Sequence, residues 1–470
     1  MRDGGSPSVQ RLRWVEHGAV EGLLTGSPAL GEAARGRTFA RLLYGPALTL
    51  AVGLCAALPV IAAAVRALNE GWQPVADRGI IATRAFDVFS SHTPLVGQYS
   101  FAGTVTGKLT YSLGPMLYWL LAPAARVGAP GSFVLTMAVV NAACVLGAVA
   151  LARRRGGVWL MAAAAIGIAV MCRSLAANNF YDIWNPSVGL FPLLALIFVC
   201  WSLACGDYRL LPVAVLLMSF LVQLEDSFIP TSLGAFAVGL GGFALWWWRA
   251  ARARPARAAP TRAGRAADAS AARAQRRRPR VWPWALAGVV VLLLCWSAPL
   301  IDQVNHSGNF SLVVQAASKR KSPLGATVGV HAVIRTVGIS PWWLIRPSEP
   351  FVRKYDVLHS AGALRNVSAA LLLGWLALAF VLGLRRRRAD VAAGAAMALM
   401  LCAGIWSIAD ATPNTHLLAA TLGYTLWSAT TVGMFAWLVA LWSAVALWGA
   451  YGLPVPPAAC QGLRARVARG

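Results

Sequence analysis

The sequence predicts an all-α membrane protein of about ten transmembrane helices, with N and C termini cytoplasmic and juxtamembrane helices in the first extracytoplasmic loop. Three observations predict it. The 470 residues are 58% hydrophobic and only 13% charged, where an average soluble domain carries about 25% charged residues. Several apolar runs reach the roughly 20 residues that a helix needs to cross a bilayer. Arginine clusters separate those runs at intervals that let every cluster fall on one side. The formal net charge of +25 would suggest a nucleic-acid partner in a soluble chain. Set between apolar runs it fixes topology and meets anionic lipid instead, and no nucleic acid is expected.

Residues 1–43 form a polar, loosely ordered cytoplasmic tail. The first apolar run, Tyr44 to Val65, follows Arg35, Arg37 and Arg41 and reads as an uncleaved helix running outward. A loop over 66–132 comes next. Its apolar piece 112–126 lies between Gly114-Pro115 and Gly128–Pro130. If it crossed, Arg153-Arg154-Arg155 would face outside, so it is expected to lie along the outer surface. The later spans are Phe133–Leu151, Val158–Leu175, Val188–Ala204, Leu210–Leu224, Leu233–Trp248, Trp282–Leu300, Ala363–Leu384, Val391–Ile408 and Leu426–Leu447. The core therefore divides into 44–248 and 282–449. Between them, 249–281 is an Arg/Ala/Pro-rich cytoplasmic linker that cannot bury a core and suits anionic lipid headgroups. Residues 450–470 form a cytoplasmic tail.

This topology sends 66–132, 176–187, the Glu225-Asp226 turn, 301–362 and 409–425 to the outer face. The inner loops hold little besides arginine. Most acids, histidines and lysines thus gather on one side of the membrane. The cysteines sit mostly inside apolar runs without metal or disulfide spacing and read as small core residues.

Asp77 stands just past the outer end of the first span, where a carboxylate can serve as general base at a membrane–water boundary. The plain alternative is an exposed loop acid, or a partner for Arg78 or Arg84. Arg84 and Asp87 have the spacing of a helical ion pair. Arg78 has the planar fork that recognises phosphate.

Several segments in order resemble the GT-C glycosyltransferases, polytopic enzymes that use polyprenyl-phosphate-linked sugars. They are Asp77 after the first span, Pro94–Ser100, Gly114–Pro123, Ile183-Trp184-Asn185-Pro186 entering a span, Gln223 at an outer helix end, and Pro299–Gln303 with Gly308-Asn309. The resemblance covers residues 44–310 and is closest to actinobacterial members. The chain departs from it where Arg78, in place of a second acid, follows Asp77, and where Ser112-Leu113 replaces His-Pro. The resemblance implies a plasma-membrane, multi-pass enzyme of the cell envelope. Its donor would be a polyprenyl-phosphate sugar and its acceptor a cell-envelope glycan or another extracytoplasmic hydroxyl compound. Asp77 would take the hydroxyl proton, the hydroxyl would attack the anomeric carbon, and the lipid phosphate would leave. Cations must neutralise that phosphate. Arg78 and Lys108 in the first loop, and Lys319, Arg320, Lys321 and Arg346 in the later loop, are the candidates. For 319–321 a solvated or headgroup-binding basic run is the plain alternative.

Asp182, with Asn178 and Asn179, can hydrogen-bond sugar hydroxyls, whereas Asn185-Pro186 is an ordinary helix start with Asn as cap. Adjacent acids at a bilayer boundary, here Glu225-Asp226 beside Gln223, are costly unless wet or paired and suggest a polar cavity. Trp342-Trp343 read as an interfacial belt, with sugar stacking by Trp342 as the functional alternative. The histidines lack metal spacing, and no metal or other cofactor is assigned. A lipid-linked-precursor flippase or transporter is the main rival function, and a non-catalytic membrane scaffold of the same fold is the third.

Overall fold

A computed structural model of the chain describes residues 28–100, 103–252, 280–319, 322–346, 357–414 and 418–448. Among these the structure is helical, apart from turns and two isolated antiparallel bridges, Tyr99–Tyr111 and Pro323–Pro413. Among the described residues eight helices are long and apolar enough to cross a membrane. The chain is an all-α, multi-pass membrane protein. It divides into two compact units, Met1–Ala51 and Val52–Gly470, and the site described below belongs to the second.

Helix α1, Pro28–Asn69, begins well before the apolar run. The segment expected to be a loose tail is helical from Pro28. A proline at the first helical position and a run rich in Ala, Arg and Leu favour that outcome. Two shorter helices follow, α2 (Asp77–Asp87) and α3 (Met116–Val127). Helix α3 measures about 18 Å, too short to cross. It does not lie open on the surface either, since seven of its twelve residues are buried, among them Leu117, Tyr118 and Leu121. A stripe this wide needs a protein partner, and α2 and α4 (Gly131–Cys172) provide it.

Helix α4 is two arms. Gly156 and Gly157 leave helical geometry, with Gly157 at φ 67°, a conformation costly for any side chain. A continuous helix would carry Cys172 about 46 Å beyond Asn141. The stretch from Arg173 to Phe180 reaches back at most ~28 Å. Yet Asn141 Nδ2 donates to Phe180 O at 2.9 Å. The chain therefore reverses at the glycine pair, and the arms match the two expected spans Phe133–Leu151 and Val158–Leu175.

The remaining long helices are α5 (Leu190–Ala204), α6 (Leu211–Leu224), α7 (Ile229–Arg252), α8 (Trp282–Asn305), α11 (Ala363–Arg385), α12 (Ala389–Ala411) and α14 (Ser428–Trp448). Every residue of α5 is buried, so this helix is the centre of the bundle. Between α8 and α11 lie α9 (Asn309–Ser318) and α10 (Ala326–Val337). Helix α10 buries Val328, Ala332 and Thr336, so part of the expected 301–362 loop packs as a helix. An eight-residue helix α13, Leu418–Thr425, precedes α14.

Two of the arginine clusters, 153–155 and 385–388, share one end of the bundle. Arg154 and Arg155 both pair with Asp207, in the α5–α6 turn. Trp201 Nε1, near the end of α5, donates to Asp390 O at 2.8 Å. Arg386 and Arg388 donate to the carbonyls of Leu447 and Ala446 at the end of α14, cations on a helix C-terminus where the backbone carbonyls are orphaned. A Cβ on Gly156 would meet Trp442 at 2.7 Å. This places the reversal, two turns and the last helix end together, as the positive-inside parity requires. Of the linker expected over 249–281, residues 249–252 are the end of helix α7, and 253–279 lie outside the described residues.

Candidate functional site

At the opposite end, the first turn of α2 brings Arg78 against Asp182. Arg78 Nε donates to both carboxylate oxygens at 2.8 and 2.9 Å, and Nη2 donates to Oδ2 at 2.5 Å. The Asp182 side chain is 1% exposed and that of Arg78 is 26% exposed. The backbone N–H of Trp184 adds a bond to Asp182 Oδ1 at 3.3 Å, and the Arg78 guanidinium lies 5.6 Å from the centre of the Trp184 ring. The hydrogen-bonded carboxylate raises the Arg78 pKa above its ordinary value in spite of burial. Arg78 and Asp182, expected on the donor phosphate and on the sugar, thus hold each other. Asp77 sits beside them but is exposed, with no side-chain hydrogen bond among the described residues.

Glu225 and Asp226 occupy the break between α6 and α7. Glu225 is extended, at φ −159° and ψ 136°, and a 3-10 turn over Asp226–Phe228 starts the next helix. Both acids are half-buried. Asp226 Oδ2 accepts from Ser100 Oγ at 2.7 Å. Burial, reinforced by the neighbouring Asp226 charge, pushes the Glu225 carboxyl up to about 8, against the opposing pull of a hydrogen bond from Asn185. Asn185 also donates from Nδ2 to Leu224 O at 2.8 Å. It therefore braces the end of α6, and its Oδ1 accepts no backbone N–H among the described residues, contrary to its expected role as a cap. The polar path Arg78–Asp182–Trp184–Asn185–Glu225–Asp226–Ser100 joins the first loop to two helix ends.

A hairpin over 97–112 carries Ser100. Gly97 N donates to Ser112 O at 2.9 Å, Ser112 N to Gln98 O at 2.7 Å and Ser100 N to Thr110 O at 2.8 Å. Asn309 clamps it from two sides, accepting from Tyr111 N at 2.8 Å and donating to Tyr111 O at 2.9 Å. Asp302 fixes Asn309 in turn by accepting its N–H at 3.0 Å, and also accepts from the Ser307 hydroxyl. The Pro299–Gln303 and Gly308-Asn309 motifs are a brace for the first loop. Gln223 is a brace too: it is 1% exposed and its Nε2 donates to Cys295 O at 2.8 Å. A Cβ on Gly114 would lie 2.0 Å from Gln223 Oε1, which is why a glycine opens the Gly114-Pro115 motif.

Four buried acceptor oxygens at these positions have no hydrogen-bond donor among the described residues: Gln98 Oε1, Asn185 Oδ1, Gln223 Oε1 and Asp226 Oδ1. Buried acceptors of this kind are costly when left unmade. Gln98 lies in the hairpin that bonds Asp226, and Asn185 bonds Glu225, so most of this unmet capacity surrounds the acid pair.

The expected phosphate ligands are not brought together. Lys108 is exposed just past the hairpin turn, Lys319 is exposed past the end of α9, and Arg346 is exposed. Arg320 and Lys321 lie outside the described residues. Trp342 is 1% exposed and packs in the core, which rules out the stacking role considered for it. Arg84 and Asp87 form no ion pair among the described residues. Among those residues no group of three His, Cys, Asp or Glu could hold a metal. Sequence analysis placed Ser100, Trp184 and Asn309 in segments of the resemblance but gave them no role. Each acts on a residue over 100 positions away, or through backbone placement, which local spacing does not encode. Comparison with protein-family models, curated proteins and solved structures finds no match.

Proposed function

We propose that the chain is a plasma-membrane glycosyltransferase of GT-C type, moving a sugar from a polyprenyl-phosphate donor to an acceptor hydroxyl at the end of the bundle opposite the arginine clusters. One observation carries this reading: a half-buried acid pair held by Ser100 and Asn185, with Asp226 Oδ1 and Asn185 Oδ1 given no donor among the described residues. A polyhydroxyl ligand supplies hydroxyl donors, and an apolar lipid tail can reach the same boundary from the bilayer.

In this reading Glu225 is the general base. Burial pushes the Glu225 carboxyl up to about 8, so its ionised fraction at neutral pH is a stronger base than an ordinary carboxylate. It takes the acceptor proton, the hydroxyl oxygen bonds the anomeric carbon, and the bond to the lipid phosphate breaks. Asp77, one turn start away from the Arg78–Asp182 pair, is the second candidate for the same role. The test is transfer by the full chain in proteoliposomes with polyprenyl-phosphate sugars and a range of acceptors. Glu225→Gln should lower transfer about 10²–10⁴-fold, with Asp77→Asn within a few-fold of the native protein. The converse pattern would return the base to Asp77. Full activity in both variants refutes the site. Passage of intact lipid-linked sugar across the vesicle without a new glycosidic bond would mark a flippase.

A further inference from the structure

Helix α2 has two faces. Ile81 and Ala85 are buried against the protein, while Ile80 is 55% and Phe86 49% exposed, as is Phe89, at 65%, in the turn just past the helix. Arg126, in the last turn of α3, lies against this exposed edge. Its guanidinium carbon is 4.4 Å from the centre of the Phe86 ring and 5.7 Å from that of Phe89. Its hydrogen bond to protein, Nη2 to Phe86 O, is at the 3.5 Å limit, and no carboxylate pairs with it among the described residues. An exposed arginine is thus held rigid by two rings with most of its donors free.

The level of this patch follows from the span ends. A Cβ on Gly131, which opens α4, would meet Leu68 Cδ2 in the last turn of α1 at 2.8 Å. Two membrane-crossing segments therefore end side by side, with Arg126 shortly before one and α2 shortly after the other. The exposed apolar face of α1 (Leu54, Leu58, Ile61, Val65 and Leu68) leads by chain continuity to Val75, Ile80, Phe86 and Phe89. Aromatic rings at the boundary and a cation at headgroup depth are the composition of an interfacial anchor.

We infer that the exposed face of α2, together with Arg126, is a phospholipid docking surface: Phe86 and Phe89 enter the acyl boundary and the Arg126 fork holds a lipid phosphate. Planar donors in a fixed fork match phosphate geometry. This site stands apart from the acid pair and does not depend on the proposed reaction.

The experiment places the photoreactive residue p-benzoylphenylalanine at position 89 of the full chain, in vesicles of phosphatidylglycerol and phosphatidylcholine. Irradiation should give a peptide carrying one phospholipid mass. Adding Arg126→Ala, a truncation of an exposed side chain, should lower the adduct yield about fivefold, the effect of one cation at a lipid surface. Absence of a lipid adduct, or cross-linking to a second copy of the chain, overturns the docking surface. An adduct yield unchanged by Arg126→Ala overturns the phosphate assignment.

Discussion

Replacing Arg78 by methionine tests the pairing that anchors α2. At 2.8 Å and an effective dielectric of about 20, the two charges attract by roughly 6 kcal/mol. Desolvation of Asp182, with its side chain 1% exposed, offsets part of this. Removing one partner of a buried pair costs about 3–5 kcal/mol because the other charge stays buried. Arg78 is 26% exposed, so water can enter its place, and the low end, about 3 kcal/mol, is expected. Replacing both residues, Arg78→Met with Asp182→Leu, removes the stranded charge and should cost under about 1.5 kcal/mol. The assay is reversible unfolding in mixed micelles followed by tryptophan fluorescence, run on the native protein, both single variants and the double variant. A double variant as unstable as Arg78→Met alone would refute the coupling and return Arg78 to the pool of free phosphate ligands.

Three further outcomes follow from the same end of the bundle. Glu225 binds its proton more tightly when folded, with its carboxyl raised from 4.5 to about 8, so the folded state holds more protons than the unfolded state between these values. Stability should therefore decline as pH rises from about 4.5 to about 8; Glu225→Gln should lose that slope, and parallel profiles for the two proteins would contradict the assignment. Gly114→Ala forces a Cβ to 2.0 Å from Gln223 Oε1 and 2.9 Å from Pro299 Cγ and should cost about 1–3 kcal/mol in the same unfolding assay, with no loss if the glycine is merely a turn residue. Asn309→Ala removes both bonds to Tyr111; hydrogen exchange should then show the Tyr111 amide losing protection while Ser112, bonded to Gln98, keeps most of its own.

Hydropathy and arginine placement carried most of the fold, because lipid allows few ways to satisfy a backbone other than a helix. Even the hidden reversal in α4 had a local sign, paired glycines after three arginines. The site was less legible. Asp182 and Glu225-Asp226 stand out in sequence because acids are rare beside spans, and both proved to be at the polar end. Their partners did not, since Arg78–Asp182 and Ser100–Asp226 join residues 104 and 126 positions apart. Asp77 drew attention by position alone, and its exposure was invisible until α2 was seen to turn its other face inward. Trp342 shows a similar gap: a tryptophan suits a boundary or a core equally well until its neighbours are known.

The clamp between Tyr111 and Asn309 spans 198 residues. On a ribosome adding about 5–20 residues per second, the hairpin waits roughly 10–40 s for the side chain that fastens it. Through that interval most of the membrane helices are already synthesised while Ser100 and Gln98 remain unanchored from that side. Maturation of the acid pair's surroundings is thus a late event of biogenesis, set by when α9 emerges and docks. Shortened chains that stop before α9 would leave the hairpin beside the acid pair without its clamp.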